Sequence, residues 1–149
     1  RLLDQNRDFT FTTDVIVGFP GETEADFVQT LEVMREICFA KVHMFPYSDR
    51  PRTRSALYTD KVPPQVMSER KARALQVAEE TAYQLRQRFI GRTAQILTEG
   101  QDEHDGQYIV GHTANFLSVM IPKGEITSNQ LIEVQLLSNS PKGLVGQKR

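Results

Sequence analysis

A single cysteine, Cys38, stands in a chain of 149 residues. It excludes an internal disulfide framework and any metal or iron–sulfur site that draws several cysteines from this chain alone. A reducing, cytoplasmic setting is expected. No apolar run approaches the roughly 20 residues a helix needs to cross a bilayer. Arg1-Leu2-Leu3-Asp4-Gln5 offers neither an initiator Met nor an apolar leader, so a secretory signal is not expected and a piece of a longer protein is. Internal repeats and low-complexity stretches are also missing. Cys38 has no His beside it in sequence and reads as a core residue at a helix end. His104 and His112 lie in or beside turns, without Cys or paired carboxylates at ligand spacing. No catalytic residue and no metal ligand is therefore assigned.

What is present suffices for a packed core: 39% of residues are apolar and 25% charged. The length suits one ordinary domain or two small ones. The net charge of −1 hides a strong asymmetry. Residues 1–40 carry 3 Lys/Arg against 8 Asp/Glu, residues 41–92 carry 11 against 5, and residues 93–149 carry 4 against 6. Only the middle third is basic. It suits either contact with phosphates or a solvated helix face plus a loop.

Thr10 to Val17 reads as a strand, and its unbroken Val15-Ile16-Val17 run suits a parallel strand buried on both faces. Gly18-Phe19-Pro20-Gly21 breaks it. Thr23 is the expected N-cap of a helix, and Asp26 nearly completes a capping box. Phe27, Leu31, Met34 and Cys38 follow at helical spacing. Lys41 to Tyr47 reads as a second strand, so the three elements form a βαβ unit with parallel strands. Ser48 to Pro64 is a basic loop. Val66 to Ile90 is a long helix with a narrow stripe of Met67, Ala74, Ala78, Ala82, Leu85 and Phe89, and Gly91 is placed as its C-cap.

Short strands follow at Thr93–Thr98, Gln107–Val110, Phe116–Ile121, Leu131–Leu137 and Gly143–Gly146. Turn signals at Asp105-Gly106, Pro122-Lys123-Gly124 and Ser140-Pro141 separate them. Five short strands in so little chain suggest a small closed or nearly closed barrel of the OB type. An OB-like barrel behind a basic segment favours nucleic acid. The region's own slight acidity and few aromatics count against a strong independent binder.

Three features carry candidate chemistry. The Gly18–Thr23 segment sits at the C-terminal end of a parallel strand, where α/β folds bind ligands. Its glycines suit either a close ligand approach or a tight strand–helix turn. Alternation places His43, Phe45 and Tyr47 on one face of the second strand and Met44 on the other. His43 reads either as a polar group in a barrel interior or as a hydrogen-bonded core residue. Arg50, Arg52 and Arg54 form either a phosphate or carboxylate clamp or a mobile surface loop.

Thr13-Asp14-Val15-Ile16-Val17-Gly18-Phe19-Pro20-Gly21-Glu22-Thr23-Glu24-Ala25-Asp26-Phe27, followed by Val42-His43-Met44-Phe45-Pro46-Tyr47-Ser48-Asp49-Arg50, resembles the late barrel segment of the radical S-adenosylmethionine (SAM) methylthiotransferases. The resemblance covers nearly the whole chain. Its His-x-Phe-Pro-Tyr-Ser and Gly111-His112-Thr113-x-Asn115-Phe116 stretches are most similar to the enzymes acting on threonylcarbamoyladenosine of tRNA. The implied fold is α/β plus all-β. Residues 1–64 would be a βαβ part of a radical-SAM, TIM-like barrel, residues 65–91 a connecting helix, and residues 92–149 an OB-like, RNA-binding TRAM barrel.

The implied activity is addition of a methylthio group to a hypermodified adenosine next to the anticodon of tRNA, using SAM and two [4Fe–4S] clusters. The three-Cys motif of the SAM cluster and the three Cys of the second cluster are absent here. The chain is therefore expected to be the C-terminal part of such an enzyme, inactive alone, with the remaining N-terminal part and tRNA as partners. The alternatives are an RNA-binding module without catalysis and the relative that modifies a ribosomal protein. By resemblance, Ile16 and Gly18 would meet SAM, as an apolar surface and as room for backbone approach, with His43 and Phe45 bordering the site. Arg50, Arg54, Arg92, Asn115, Phe116 and Lys142 would meet RNA, although Phe116 reads better as an inward core residue. Arg52 departs from an Arg-x-Gly-Thr pattern, which puts the conformation of Arg50–Thr53 in question.

Overall fold

The computed structural model describes residues 5–101 and 106–149. His104 and Asp105 lie outside the described residues. The chain forms two compact units: Phe11–Ala82, and the segment up to Thr10 together with Tyr83–Arg149. Among the described residues no helix is long and apolar enough to cross a membrane.

The first unit contains β1 (Thr12–Val17), α1 (Glu24–Ile37), β2 (Lys41–Pro46), a short 3₁₀ turn (Ser55–Leu57) and most of α2 (Pro64–Gln87). β1 and β2 pair in parallel, with Asp14 opposite His43 and Ile16 opposite Phe45. Thr23 caps α1 in a full capping box: Asp26 N–H donates to Thr23 Oγ1 at 3.2 Å, and Thr23 N–H donates to Asp26 Oδ2 at 2.9 Å. Asp serves here in place of the usual Glu or Gln. The core joins Val17 to Phe27, Leu31 and Met34 of α1 and to Ala74, Val77 and Ala78 of α2, with Val15, Val42 and Met44 packed against it.

Two expectations are corrected here. β1 is covered on one face only: Val15 and Val17 point to the core, while Ile16 is 55% exposed. Three consecutive apolar residues therefore alternate like a half-buried strand. Cys38 is not core. It is the α1 C-cap, half-buried in the left-handed region at φ 55°, and its Sγ donates to the Arg35 carbonyl at 3.2 Å.

The second unit is a closed barrel of β3 (Thr93–Gln101), β4 (Tyr108–Thr113), β5 (Ser118–Pro122), β6 (Leu131–Ser140) and β7 (Gly143–Lys148). Its circuit runs β3-β4-β5-β7-β6 and back to β3, with β5 and β7 parallel and the other pairs antiparallel. That is the five-stranded Greek-key order of OB-type barrels. Ile96, Ile109, Leu117, Val119, Ile121, Val134, Leu136 and Leu144 fill it. Register shifts at Thr98/Gly100 and Leu136/Ser138 mark where β3 and β6 bend, as small barrels require. Gly111 lies where a Cβ would come within 2.5 Å of the Leu97 carbonyl, so only glycine lets β4 approach β3 this closely.

Gly91 is not the helix cap expected of it. α2 ends at Gln87, and Gly91 N–H donates instead to the Leu136 carbonyl at 2.8 Å, entering the barrel. Arg86 near the end of α2 is buried, donating to Asn139 Oδ1 at 2.9 Å and to the Ser140 carbonyl at 3.0 Å; desolvation depresses its pKa. The segment before Phe11 is tied into this unit. Arg92 pairs with Asp8, Asn115 Nδ2 donates to the Asp8 carbonyl at 2.8 Å, and Arg88 donates to the Arg7 carbonyl at 2.7 Å.

Candidate functional site

In the first unit the C-terminal ends of β1 and β2 carry the candidate site. The strands alternate in phase, so Asp14, Ile16, His43 and Phe45 share the face turned away from the core. Ile16 is 55% and Phe45 49% exposed, and they are direct cross-strand partners. His43 is an exposed strand residue, not a core histidine. Three of the four residues expected to border a cofactor thus share one open face, where Ile16 and Phe45 form an apolar pair beside Asp14 and His43.

The fourth, Gly18, has local reasons for being glycine. Its φ is +77°, and a Cβ would fall 2.2 Å from Met67 Cγ. Its N–H donates to Glu22 Oε2 at 2.8 Å. Glu22 is held in turn by Arg70, whose Nη1 reaches Glu22 Oε2 at 2.6 Å and the Glu22 carbonyl at 3.1 Å. Arg70 is buried, and its guanidinium lies 5.5 Å from the Phe27 ring centroid. Arg73 extends the network to Glu24 at 2.7 Å and, chiefly through that hydrogen bond, holds the Glu24 carboxyl below its ordinary range. The basic middle third, to which Arg70 belongs, suits a solvated helix face or a phosphate contact. What the sequence does not reveal is that Glu22 sits on a turn folded beneath Arg70.

The loop after β2 is hydrogen-bonded at several points. Tyr47 N–H donates to the Val17 carbonyl at 2.8 Å, and Gly21 N–H to the Asp60 carbonyl at 2.9 Å. Phe19 meets Tyr47 edge-on at 5.2 Å between centroids. Asp49 accepts from Lys61 and from the Tyr47 hydroxyl; Lys61 first and Tyr47 second hold its carboxyl below the usual range. Thr53 N–H donates to the Arg50 carbonyl at 3.2 Å across Pro51-Arg52, with Arg52 at φ 69°. Proline at the second position and a positive φ at the third give the pattern of a type II turn. Arg50, Arg52 and Arg54 are exposed, and their side chains have no hydrogen bond or ion pair among the described residues.

In the second unit Phe116 is 57% exposed and not the inward core residue expected. It belongs to the β4–β5 hairpin loop, with its N–H on the Thr113 carbonyl at 3.0 Å and φ at 67°. A three-residue hairpin loop ends in such a left-handed residue, where glycine is ordinary. The Phe116 ring lies 5.7 Å from that of His112, whose Nδ1 contacts Glu99 Oε1 at 2.8 Å. Arg92 and Asn115 are engaged with the Asp8 segment, and Lys142 lies exposed in the β6–β7 turn. No group of three or more His, Cys, Asp or Glu placed to hold a metal occurs among the described residues.

No protein-family model matches the chain. Curated proteins do. The chain is 38% identical over 140 residues to the threonylcarbamoyladenosine tRNA methylthiotransferase of Chlamydia pneumoniae, covering 93% of this chain and 32% of the relative. It is 39% identical over 143 residues to a tRNA-2-methylthio-N(6)-dimethylallyladenosine synthase of Chloroflexus aurantiacus, covering 93% and 30%. The synthase of the same name from Finegoldia magna is 32% identical over 141 residues, covering 95% and 31%.

The chain belongs to the tRNA methylthiotransferase family. It spans about a third of the length of the curated relatives it matches. Among the described residues β1 and β2 hydrogen-bond as strands only to each other. A groove of about 320 Å³ runs along α1 next to β1, lined by Thr13, Val15, Thr30, Val33 and Phe39 among others.

Proposed function

We propose that the chain is the barrel-closing and RNA-recognition part of a cytoplasmic radical-SAM tRNA methylthiotransferase, acting on a hypermodified adenosine next to the anticodon. The observation that carries this reading is the match to tRNA methylthiotransferases over more than nine-tenths of the chain. Residues 1–64 then supply late strands of the catalytic barrel, residues 65–91 the connecting helix and residues 92–149 the TRAM module. A parallel pair that, among the described residues, has no third strand and one exposed face supports this, because parallel sheets are ordinarily covered on both faces.

The residues present do not fit either iron–sulfur cluster, since one cysteine cannot replace three. Cluster chemistry belongs to the remainder of the enzyme, the partner this chain requires, and the chain alone is inactive. The Ile16–Phe45 surface does fit the adenine end of SAM, a flat group that suits an apolar wall. SAM supplies the methyl group in such enzymes. Ile16 and Phe45 bind and orient it, and His43 borders the same face. Gly18 contributes the turn that ends β1.

On the RNA side, Arg50 and Arg54 meet phosphates, the exposed Phe116 stacks a base, and Arg92, Asn115 and Lys142 are further contacts. The test is tRNA binding by the 149-residue chain, followed by fluorescence anisotropy across a salt series. Saturable, salt-sensitive binding is expected. Absence of binding would refute the recognition role. Stoichiometric iron on this chain after anaerobic reconstitution would overturn the placement of the clusters elsewhere. Preference for a ribosomal protein over tRNA in competition would favour the protein-modifying relative.

A further inference from the structure

We propose that Arg52 is a third phosphate contact for tRNA, presented at the tip of the Arg50–Thr53 turn at the expense of backbone strain. This rests on the tRNA reading above and adds to it a residue which that reading leaves without a role.

The argument begins with the backbone. Arg52 has φ 69°, in the left-handed region that disfavours any residue with a bulky side chain. Pro51 before it and the Thr53 N–H to Arg50 carbonyl bond fix the turn, so the strain is not relieved by a shift in the loop. Thr53 Oγ1 reinforces it, donating to the same carbonyl at 2.8 Å. Glycine would satisfy this geometry without the clash.

The side chain gives no folding reason for the arginine. It is exposed and makes no hydrogen bond, ion pair or ring contact among the described residues. A strained residue with no structural return points to function. Its neighbours say which function. Asp49, the nearest acid in the loop, is already paired with Lys61 and bonded to Tyr47. Among the described residues no ion pair engages any of the three guanidinium groups that lie within these five positions. The loop that holds them is hydrogen-bonded in advance, at Leu57 N–H to the Arg54 carbonyl and Lys61 Nζ to the Ser55 carbonyl, both 3.0 Å. Guanidinium forks suit phosphate oxygens bidentately.

The experiment uses the 149-residue chain and an in vitro transcribed tRNA, with affinity followed against salt from about 50 to 200 mM. Arg52→Gly keeps the turn and removes the charge. It is expected to melt no lower than the parent chain, to bind several-fold more weakly, and to flatten the slope of log K against log salt by roughly 0.7 to 0.9. Arg52→Lys keeps a charge and is expected to retain most of the slope. If Arg52→Gly leaves affinity and slope unchanged while Arg50→Ala/Arg54→Ala lowers both, Arg52 is not a contact and the tRNA reading stands. If Arg52→Lys loses as much slope as Arg52→Gly, the charge role is overturned. If neither the parent chain nor any variant binds tRNA in a salt-sensitive way, the tRNA reading itself fails.

Discussion

Arg70 grips Glu22 twice, at its carboxylate and at its carbonyl, and the same carboxylate oxygen accepts the N–H of Gly18. The pair is nearly out of water, with the Arg70 side chain 6% and that of Glu22 12% exposed. One buried ion pair therefore fixes both ends of the turn that terminates β1. Replacing Arg70 with Met leaves a desolvated carboxylate without its cation, which costs about 3–5 kcal/mol. Urea unfolding of Arg70→Met should show that loss. The double variant Arg70→Met/Glu22→Gln removes the stranded charge, and its amide oxygen can still accept from Gly18. It should recover a large part of the stability, and a double variant no better than the single one would mean the pair is not what holds the turn.

Gly18 is a second residue on which that turn depends. A Cβ there meets Met67 Cγ at 2.2 Å, and the +77° φ adds a conformational cost of its own. Gly18→Ala is expected to lose roughly 2–5 kcal/mol, combining about 1–2 for the left-handed backbone with about 1–3 for overpacking. Shortening Met67 to Ala in the same chain should return the packing part and leave the backbone part. Chemical denaturation of the four-member cycle measures both. A Gly18→Ala variant as stable as the parent would free this glycine for the ligand-approach role.

Much of this fold is legible in the residues. Glycine and proline clusters mark the breaks, and β-branched runs mark the strands. The capping residues Thr23 and Asp26 mark the start of α1 to the residue. The five-strand barrel follows from turn spacing. Orientation is less legible. Val15-Ile16-Val17 reads as buried throughout because composition does not say how many faces a sheet has covered, and here the covering layer exists on one side only. Phe116 reads as core because an aromatic next to a strand usually is. Its exposure follows from the backbone turning left-handed at that residue, which no periodicity records. Burial of Arg70 and Arg86 is hidden for the opposite reason. Their partners, Glu22 and Asn139, lie 48 and 53 residues away.

The Lys61–Asp49 pair should make the loop's stability fall off at both ends of the pH scale. Lys61 holds the Asp49 carboxyl below its ordinary range, so that part of the stabilisation is present above the unfolded pKa of about 4 and is lost as pH falls through the folded value. Asp49 raises the Lys61 pKa, so that part is complete below the unfolded value of about 10.4 and is lost as pH rises through the folded value. Asp49→Asn abolishes both arms. Melting curves of parent and variant should converge in acid and in alkali and differ most between them. Both groups are exposed, so the difference should shrink with salt. A constant offset at every pH would assign the effect to packing and not to charge.

At Phe116 the proposed recognition role can be measured apart from stability. The residue is 57% exposed, and alanine keeps the same left-handed backbone requirement, so Phe116→Ala should change unfolding free energy by no more than about 0.5 kcal/mol. Stacking of one RNA base on an aromatic is worth about 1–3 kcal/mol. The same variant should therefore bind tRNA about 5- to 150-fold more weakly, a range set by that energy. The salt slope should stay where it was, because no charge is lost. Phe116→Tyr should bind like the parent chain. Equal affinity of Phe116→Ala and parent would return the ring to an ordinary hairpin residue. A large stability loss would show that His112 and Phe116, 5.7 Å apart, serve the barrel wall instead.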